Sequence, residues 1–345
     1  MAVARVYKWD NLKVVMILGI VLEHAILIYG YPRSMELFWG LFISWLMPMF
    51  TIISGYWMKE RPLADLCNRY LYPMLLFSGV NFIVGYFFYP VYHKGIHAMG
   101  YAMWYLWALF VYSWLTPKLL RIITIKRLLF LSFVMVLLYN FLPISGRILT
   151  LINELQLNRI IGFYPFYLFG ILLRNIKLGG GKYTLLYLMF SIVCYLVLCW
   201  LVKGFAYSSG FYLVPHMSIS RLLCFTVSYF FIGTICHFII RVTPNRKFVW
   251  SAYGGRTMNV YLLHMLLVFP ISYGIFSQLP FTPLWLSLNV ILVPFMSMLF
   301  FGDKIDKVMN YILSKRLWGL AITVYLAAVF LVNKSWLMNL IKFDL

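Results

Sequence analysis

Residues 183–202 read YTLLYLMFSIVCYLVLCWLV, without one charged side chain. A helix rises about 1.5 Å per residue, so twenty positions span about 30 Å, the thickness of a bilayer's hydrocarbon core. Residues 284–301 form a second run equally free of Asp, Glu, Lys and Arg. On either side of these two, apolar runs recur at about 12–30, 36–57, 71–90, 101–120, 127–143, 159–174, 218–240, 257–276 and 317–333. The pattern predicts an all-α fold, a polytopic transmembrane helix bundle of about ten or eleven spans. Connections between the runs are short, so a single membrane-embedded domain is expected over residues 1–345, with no soluble domain between spans.

Composition agrees with that reading. The chain is 63% hydrophobic and only 11% charged, whereas soluble domains are about half apolar and about a quarter charged. So much apolar surface exceeds what a water-soluble core of this length buries. The net charge of +20 does not point to nucleic acid, because the 29 Lys and Arg residues sit in short clusters between apolar runs. Such clusters set membrane topology. They fall at Arg5, Lys8 and Lys13; Lys59, Arg61 and Arg69; Lys118, Arg121, Lys126 and Arg127; Arg174, Lys177 and Lys182; Arg241, Arg246, Lys247 and Arg256; and Lys304, Lys307, Lys315 and Arg316. These are the N-terminus and alternate connections, so a cytosolic N-terminus in the plasma membrane is expected. The same charge suits anionic lipid head groups or a phosphate-rich substrate. A cysteine placed at Lys94 should therefore react with an impermeant thiol reagent on intact cells, and one at Lys126 should be spared. The reverse labelling would invert the topology.

Arg5 and Lys8 ahead of an apolar run resemble the start of a signal peptide, but no small-x-small cleavage site follows; an uncleaved first span is expected. Cys194, Cys199, Cys224 and Cys236 lie inside apolar runs and Cys67 in a basic loop, so the five cysteines do not form a disulfide framework.

Lipid excludes ionisable groups unless they face the bundle interior, so each one in a span is a functional candidate. The first span holds Asp10, Lys13, Glu23 and His24. Lys13 and His24 are about three helical turns apart, on one face and separated by roughly 16 Å. Asp10, three residues before Lys13, shares that stripe and is placed to orient the ammonium. Glu23 projects from another face. In the ninth span Thr257, Tyr261 and His264 follow i, i+4, i+7 spacing, which turns a polar face inward. Pro48, Ser54 and Gly55 in the second span point to an irregular helix lining a pocket.

Together these segments resemble acyltransferase family three of integral membrane proteins, and especially its fucose 4-O-acetylase-like branch, which acetylates sugars. The family's basic–x10–histidine motif is similar to Lys13 with His24, following Trp9–Asp10. Its proline–x–phenylalanine and serine–glycine–tyrosine element resembles Pro48 to Phe50 with Ser54 to Tyr56, and an arginine–proline element resembles Arg69 to Pro73. Trp104 to Leu109 is similar to its tryptophan-rich helix, Arg159 with Pro165 to Gly170 to its next element, and Tyr261 to His264 to its late motif. The matches keep family order over about residues 9–302, leaving 303–345 as a C-terminal extension whose run at 317–333 makes the difference between ten spans and eleven. Two positions depart from the wider family: Lys13 stands where arginine is common, and Glu23 where a small residue is usual.

The resemblance implies a membrane O-acyltransferase, an enzyme moving an acetyl group from cytosolic acetyl-CoA to a hydroxyl of a cell-envelope sugar, polysaccharide or lipid-linked precursor. His24 would be the catalytic base or a transient acyl carrier. Lys13 with Asp10, and Arg69, would hold the donor's phosphates. Ser54, Tyr261 and His264 would line the cavity, and Arg159 and Trp104 would place the sugar ring. No cofactor beyond the acyl donor is implied, and nothing resembles a metal site. The partners implied are acyl-CoA, a sugar or glycan acceptor and the bilayer, not nucleic acid. Two alternatives also bury polar groups: a polysaccharide flippase or other transporter, and an envelope-glycan polymerase. The first would show internal repeats and the second large external loops; the chain displays neither.

Overall fold

A computed structural model describes residues 6–27, 42–88, 103–141, 146–174, 184–201 and 219–343. Every described segment is helical or a short connection, and among the described residues there is no strand. In lipid the backbone must satisfy its own hydrogen bonds, and a helix does so within one segment. The helices are α1 (Tyr7–Ile26), α2 (Leu46–Tyr56), α3 (Leu63–Phe88), α4 (Trp104–Leu120), α5 (Ile125–Phe141), α6 (Gly146–Glu154), α7 (Leu157–Arg174), α8 (Thr184–Leu201), α9 (Ile219–Val242), α10 (Thr257–Gln278), α11 (Pro283–Phe301), α12 (Asp303–Lys315) and α13 (Trp318–Phe343). Each apolar run read from the sequence coincides with one of them. The chain is an all-α membrane helix bundle.

Among the described residues three helices, α3, α10 and α11, are by themselves long and apolar enough to cross a bilayer. A fourth such stretch is α12 with α13, bent by 101° at Arg316, whose φ of 49° lies in the left-handed region. The 36–57 run is described only from residue 42. Its Pro48 does not break α2, because it falls near the first turn, where no intrahelical N–H bond is lost. Two helices, α6 and α12, are amphipathic and lie outside the apolar runs. Asn68 accepts from the Trp318 indole at 3.0 Å, and Tyr72 donates to the Ile312 carbonyl at 3.2 Å, so the C-terminal extension is tied to α3.

The surface is that of a membrane protein. Phe295 and Phe190 are 68% and 61% exposed, while Asn289, Ser272 and His264 are fully buried within a largely apolar core. An apolar outside, with the polar groups of the spans turned inward, is the distribution a lipid solvent selects. Without a hydrophobic drive between helices, close backbone approach at small residues holds such bundles together. α2 and α7 form the most extensive pair. Gly55 of α2 lies against the Tyr167 carbonyl, and Gly170 of α7 against the Ile52 carbonyl. Gly79 likewise lets α3 approach the backbone of α13 at Tyr325.

α1 runs through the interior, packed by α2, α10, α11 and a 3-10 segment, Val249–Gly255. The basic connections gather at its N-terminal end. Arg121 pairs with Glu60, Arg174 donates to the Met58 carbonyl at 3.3 Å, and Lys8 N–H donates to Asn245 at 3.2 Å. The N-terminus of α1, the α2–α3 and α4–α5 connections, the end of α7 and the connection after α9 thus meet on one side of the bundle.

Candidate functional site

The N-terminal end of α1 is fixed first. Asn11, 4% exposed, donates to the Arg246 carbonyl at 3.0 Å and accepts from Ser251 at 2.5 Å. Gly254 packs directly on Asp10, a contact that leaves no room for a Cβ. On this anchored turn Lys13 Nζ lies 2.9 Å from Asp10 Oδ1, the i, i+3 pairing expected from spacing.

A cavity of about 410 Å³ opens beside Lys13. It collects four of the expected residues, Lys13, Ser54, Arg69 and Tyr261, together with Thr257 and Tyr105. Ser54 reaches it because the last turns of α2 face inward, and its hydroxyl lies 2.9 Å from that of Tyr105. Arg69 reaches it from a π-helical turn, Cys67–Leu71, at the start of α3. The extra residue in such a turn rotates the side chains around it, and these turns recur at functional sites.

Beyond the cavity, the His24 and His264 rings lie 5.2 Å apart and tilted by 37°. His264 is fully buried, and its Nδ1 is 2.7 Å from the Tyr261 carbonyl. A carbonyl only accepts, so Nδ1 carries the proton and Nε2 keeps its lone pair. That Nε2 is buried and has no hydrogen-bond partner among the described residues. His24 is half-buried at the last turns of α1.

The remaining expected pair stands together. The Arg159 guanidinium lies over the Trp104 ring, 5.0 Å from its centroid, and Arg159 acts electrostatically on Glu23, His24 and Tyr261. Ring contacts join this pair to the histidines. Trp104 meets Tyr105 at 5.9 Å, Tyr105 meets Tyr261 at 6.1 Å, and Tyr261 meets His264 at 6.1 Å. All nine expected residues therefore belong to one path, from the Asp10–Lys13 pair through the cavity and the histidines to Arg159 and Trp104. His237 stands apart, half-buried in a separate apolar groove near Tyr229. His93, His97 and His216 lie outside the described residues.

Two members of the site are not singled out by sequence. Tyr105 links Ser54 to the ring series; its only sequence signal is membership of an aromatic-rich helix. Asn289 is the second. Its amide donates to the Ala25 carbonyl at 2.8 Å and accepts from Ser272 at 2.8 Å. Ala25 follows His24 at the end of α1, where carbonyls lose their helical partners, so Asn289 holds the turn that presents the histidine. Asn289→Ala is expected to lower stability by on the order of 1 kcal/mol, read as a reduced unfolding temperature of purified protein. An unchanged temperature would show that the buried bond is dispensable.

Chemically, the path offers cations at one end, an imidazole nitrogen with a lone pair in the middle, and an arginine–tryptophan platform beyond. Among the described residues no group of three or more His, Cys, Asp or Glu side chains is arranged to hold a metal ion. In comparison with known proteins, a family model described as an acyltransferase domain matches residues 6–302, a stretch that holds every residue of this path. No curated protein and no solved structure matches the chain.

Proposed function

This chain belongs to acyltransferase family three, and we propose that it moves an acetyl group from cytosolic acetyl-CoA to a hydroxyl of a cell-envelope sugar, polysaccharide or lipid-linked precursor. It is a membrane acyltransferase; the donor, the acceptor and the orientation in the plasma membrane with a cytosolic N-terminus are the proposal. The observation that carries it is the placement of the His24–His264 pair behind a cavity whose mouth holds Lys13 and Arg69.

The chemistry follows from what each group can do. A thioester is activated, but a sugar hydroxyl is a poor nucleophile until a base takes its proton. His24 removes that proton as the hydroxyl oxygen attacks the thioester carbonyl. The carbon–sulfur bond then breaks, and the coenzyme thiolate leaves and is protonated. Alternatively the imidazole carries the acyl group between donor and acceptor. Lys13, oriented by Asp10, and Arg69 bind the donor's phosphates at the mouth. Ser54, Tyr261 and His264 line the path. Trp104 stacks on the sugar ring and Arg159 donates to its oxygens.

A transfer assay with radiolabelled acetyl-CoA and membranes containing the protein tests the reading. Label moving into a glycan fraction supports it. Sugar or lipid movement across the bilayer with no acyl transfer would favour a transporter, and glycan elongation a polymerase. Lys13→Ala is expected to raise the Michaelis constant for acetyl-CoA about tenfold, since a cation placed on a phosphate contributes on the order of 1 kcal/mol or more. Lys13→Arg should retain most activity. An unchanged donor constant in Lys13→Ala would make the lysine a topological anchor only.

A further inference from the structure

A second cavity, of about 250 Å³, opens on the same basic side but on the other face of the α2 C-terminus. The ends of four helices surround it: the start of α1 and the last turns of α2, α7 and α9. Lys8 and Arg174 line it, and no carboxylate does among the described residues. Arg241 is close enough to Lys8 to act on it electrostatically, and its buried Nε has no hydrogen-bond partner among the described residues. Arg174 uses one nitrogen on the Met58 carbonyl; a guanidinium has five N–H donors in all.

Some other cations on this side have carboxylate partners: Lys13 has Asp10, Arg121 has Glu60, and Arg256 has Asp303 and Asp306. Helix C-termini favour cations, which accounts for Arg174 and Arg241 at the ends of α7 and α9. It does not account for Lys8. That residue lies in the first turn of α1, where the helix dipole disfavours positive charge. A lysine held there beside a second cation, in a cavity with no carboxylate among its described lining residues, calls for an anion.

We propose that this cavity binds a phosphate group, carried by an anionic phospholipid of the adjoining leaflet. Trp9 and Tyr56 line it with ring centroids 4.6 Å apart, and such amphipathic rings settle at head-group level. Basic pockets between spans at that level bind anionic head groups. The cavity is smaller than the one at Lys13. A phosphate seated there bridges α1 to α2, α7 and α9, and so steadies the turn that carries Asp10 and Lys13. The inference is independent of the acyl-transfer reading.

The test is lipid retention by the purified protein, measured by native mass spectrometry after incubation with equal phosphatidylglycerol and phosphatidylcholine. Wild type is expected to retain phosphatidylglycerol about tenfold over phosphatidylcholine, since each cation near a surface contributes a several-fold preference for anionic lipid. Lys8→Gln with Arg174→Gln should abolish that preference, while Lys8→Arg should keep it and so guard against a variant that merely misfolds. Neither inorganic phosphate nor coenzyme A should displace the lipid. Equal retention of both lipids by wild type, or an unchanged preference in the double variant, overturns the proposal. Displacement by coenzyme A would assign the phosphate to a soluble donor and overturn the lipid as its source.

Discussion

Replacing His24 by Gln or Ala is expected to lower acyl transfer by about a hundred- to ten-thousand-fold, with the protein still at normal abundance in the membrane. The magnitude is that of losing a positioned general base. A histidine that only packs would lose far less on conversion to Gln, because the amide keeps a donor, an acceptor and much of the volume. His24 shares the α1 stripe with Lys13, and its ring stands 5.2 Å from that of His264. His264→Gln is the informative comparison. Its Nδ1 donation to the Tyr261 carbonyl is a structural bond that an amide can replace in part, so partial activity is expected. The measurement is the initial rate of label transfer with purified protein. Full turnover in His24→Gln beside a dead His264→Gln would move the base to His264.

The helices were legible in the sequence because lipid leaves the backbone so little choice. An apolar run of about twenty residues must be helical, and its length is set by the bilayer. The Asp10–Lys13 pair was legible for a related reason: both residues lie on one helix, where spacing fixes geometry. Once separate helices had to meet, spacing stopped helping. Nothing in the sequence relates His24 to His264, or Trp104 to Arg159. Their expected roles rest on family resemblance; the structure adds only that the members of each pair are neighbours.

Tyr105 and Asn289 show what pattern reading misses. A tyrosine among many aromatic residues and one uncharged amide in an apolar run carry no charge to flag them. Asn289 contacts Ala25 from 264 positions away in the chain, so its partner cannot be inferred from local sequence. Helices α6 and α12 escaped for the opposite reason, being amphipathic in a chain read for continuous apolar runs. Pro48, by contrast, was legible. Residues 42–45 form a π-helical turn and a turn, α2 begins only at Leu46 with the proline in its first turn, and Met47, Phe50 and Ser54 line the cavity.

Gly170→Leu is expected to remove most folded protein from the membrane, and Gly170→Ala to lower the unfolding temperature clearly. The reason is backbone against backbone. A Cβ at Gly170 would meet the Ile52 carbonyl and lie 2.9 Å from the Tyr56 nitrogen, and one at Gly55 would meet the Tyr167 carbonyl. No flexible side chain is available to yield, so α2 and α7 must separate. Overpacking a core typically costs about 1–3 kcal/mol, and a leucine here should reach or exceed the upper figure. The consequence for the site is direct, because α2 carries Ser54 next to Gly55 while α7 carries Arg159. Spreading the crossing shifts the wall of the cavity relative to the arginine platform, so Gly170→Ala should lose activity as well as stability. Gly233→Ala in α9 is the control, since a Cβ there meets nothing within 4 Å; it should be neutral or slightly stabilising. Unfolding of purified protein followed by reaction of buried thiols with a fluorescent dye measures both. If Gly170→Ala unfolds at the wild-type temperature, the helices do not cross as tightly as the two glycines indicate, and the link from that crossing to the site is lost.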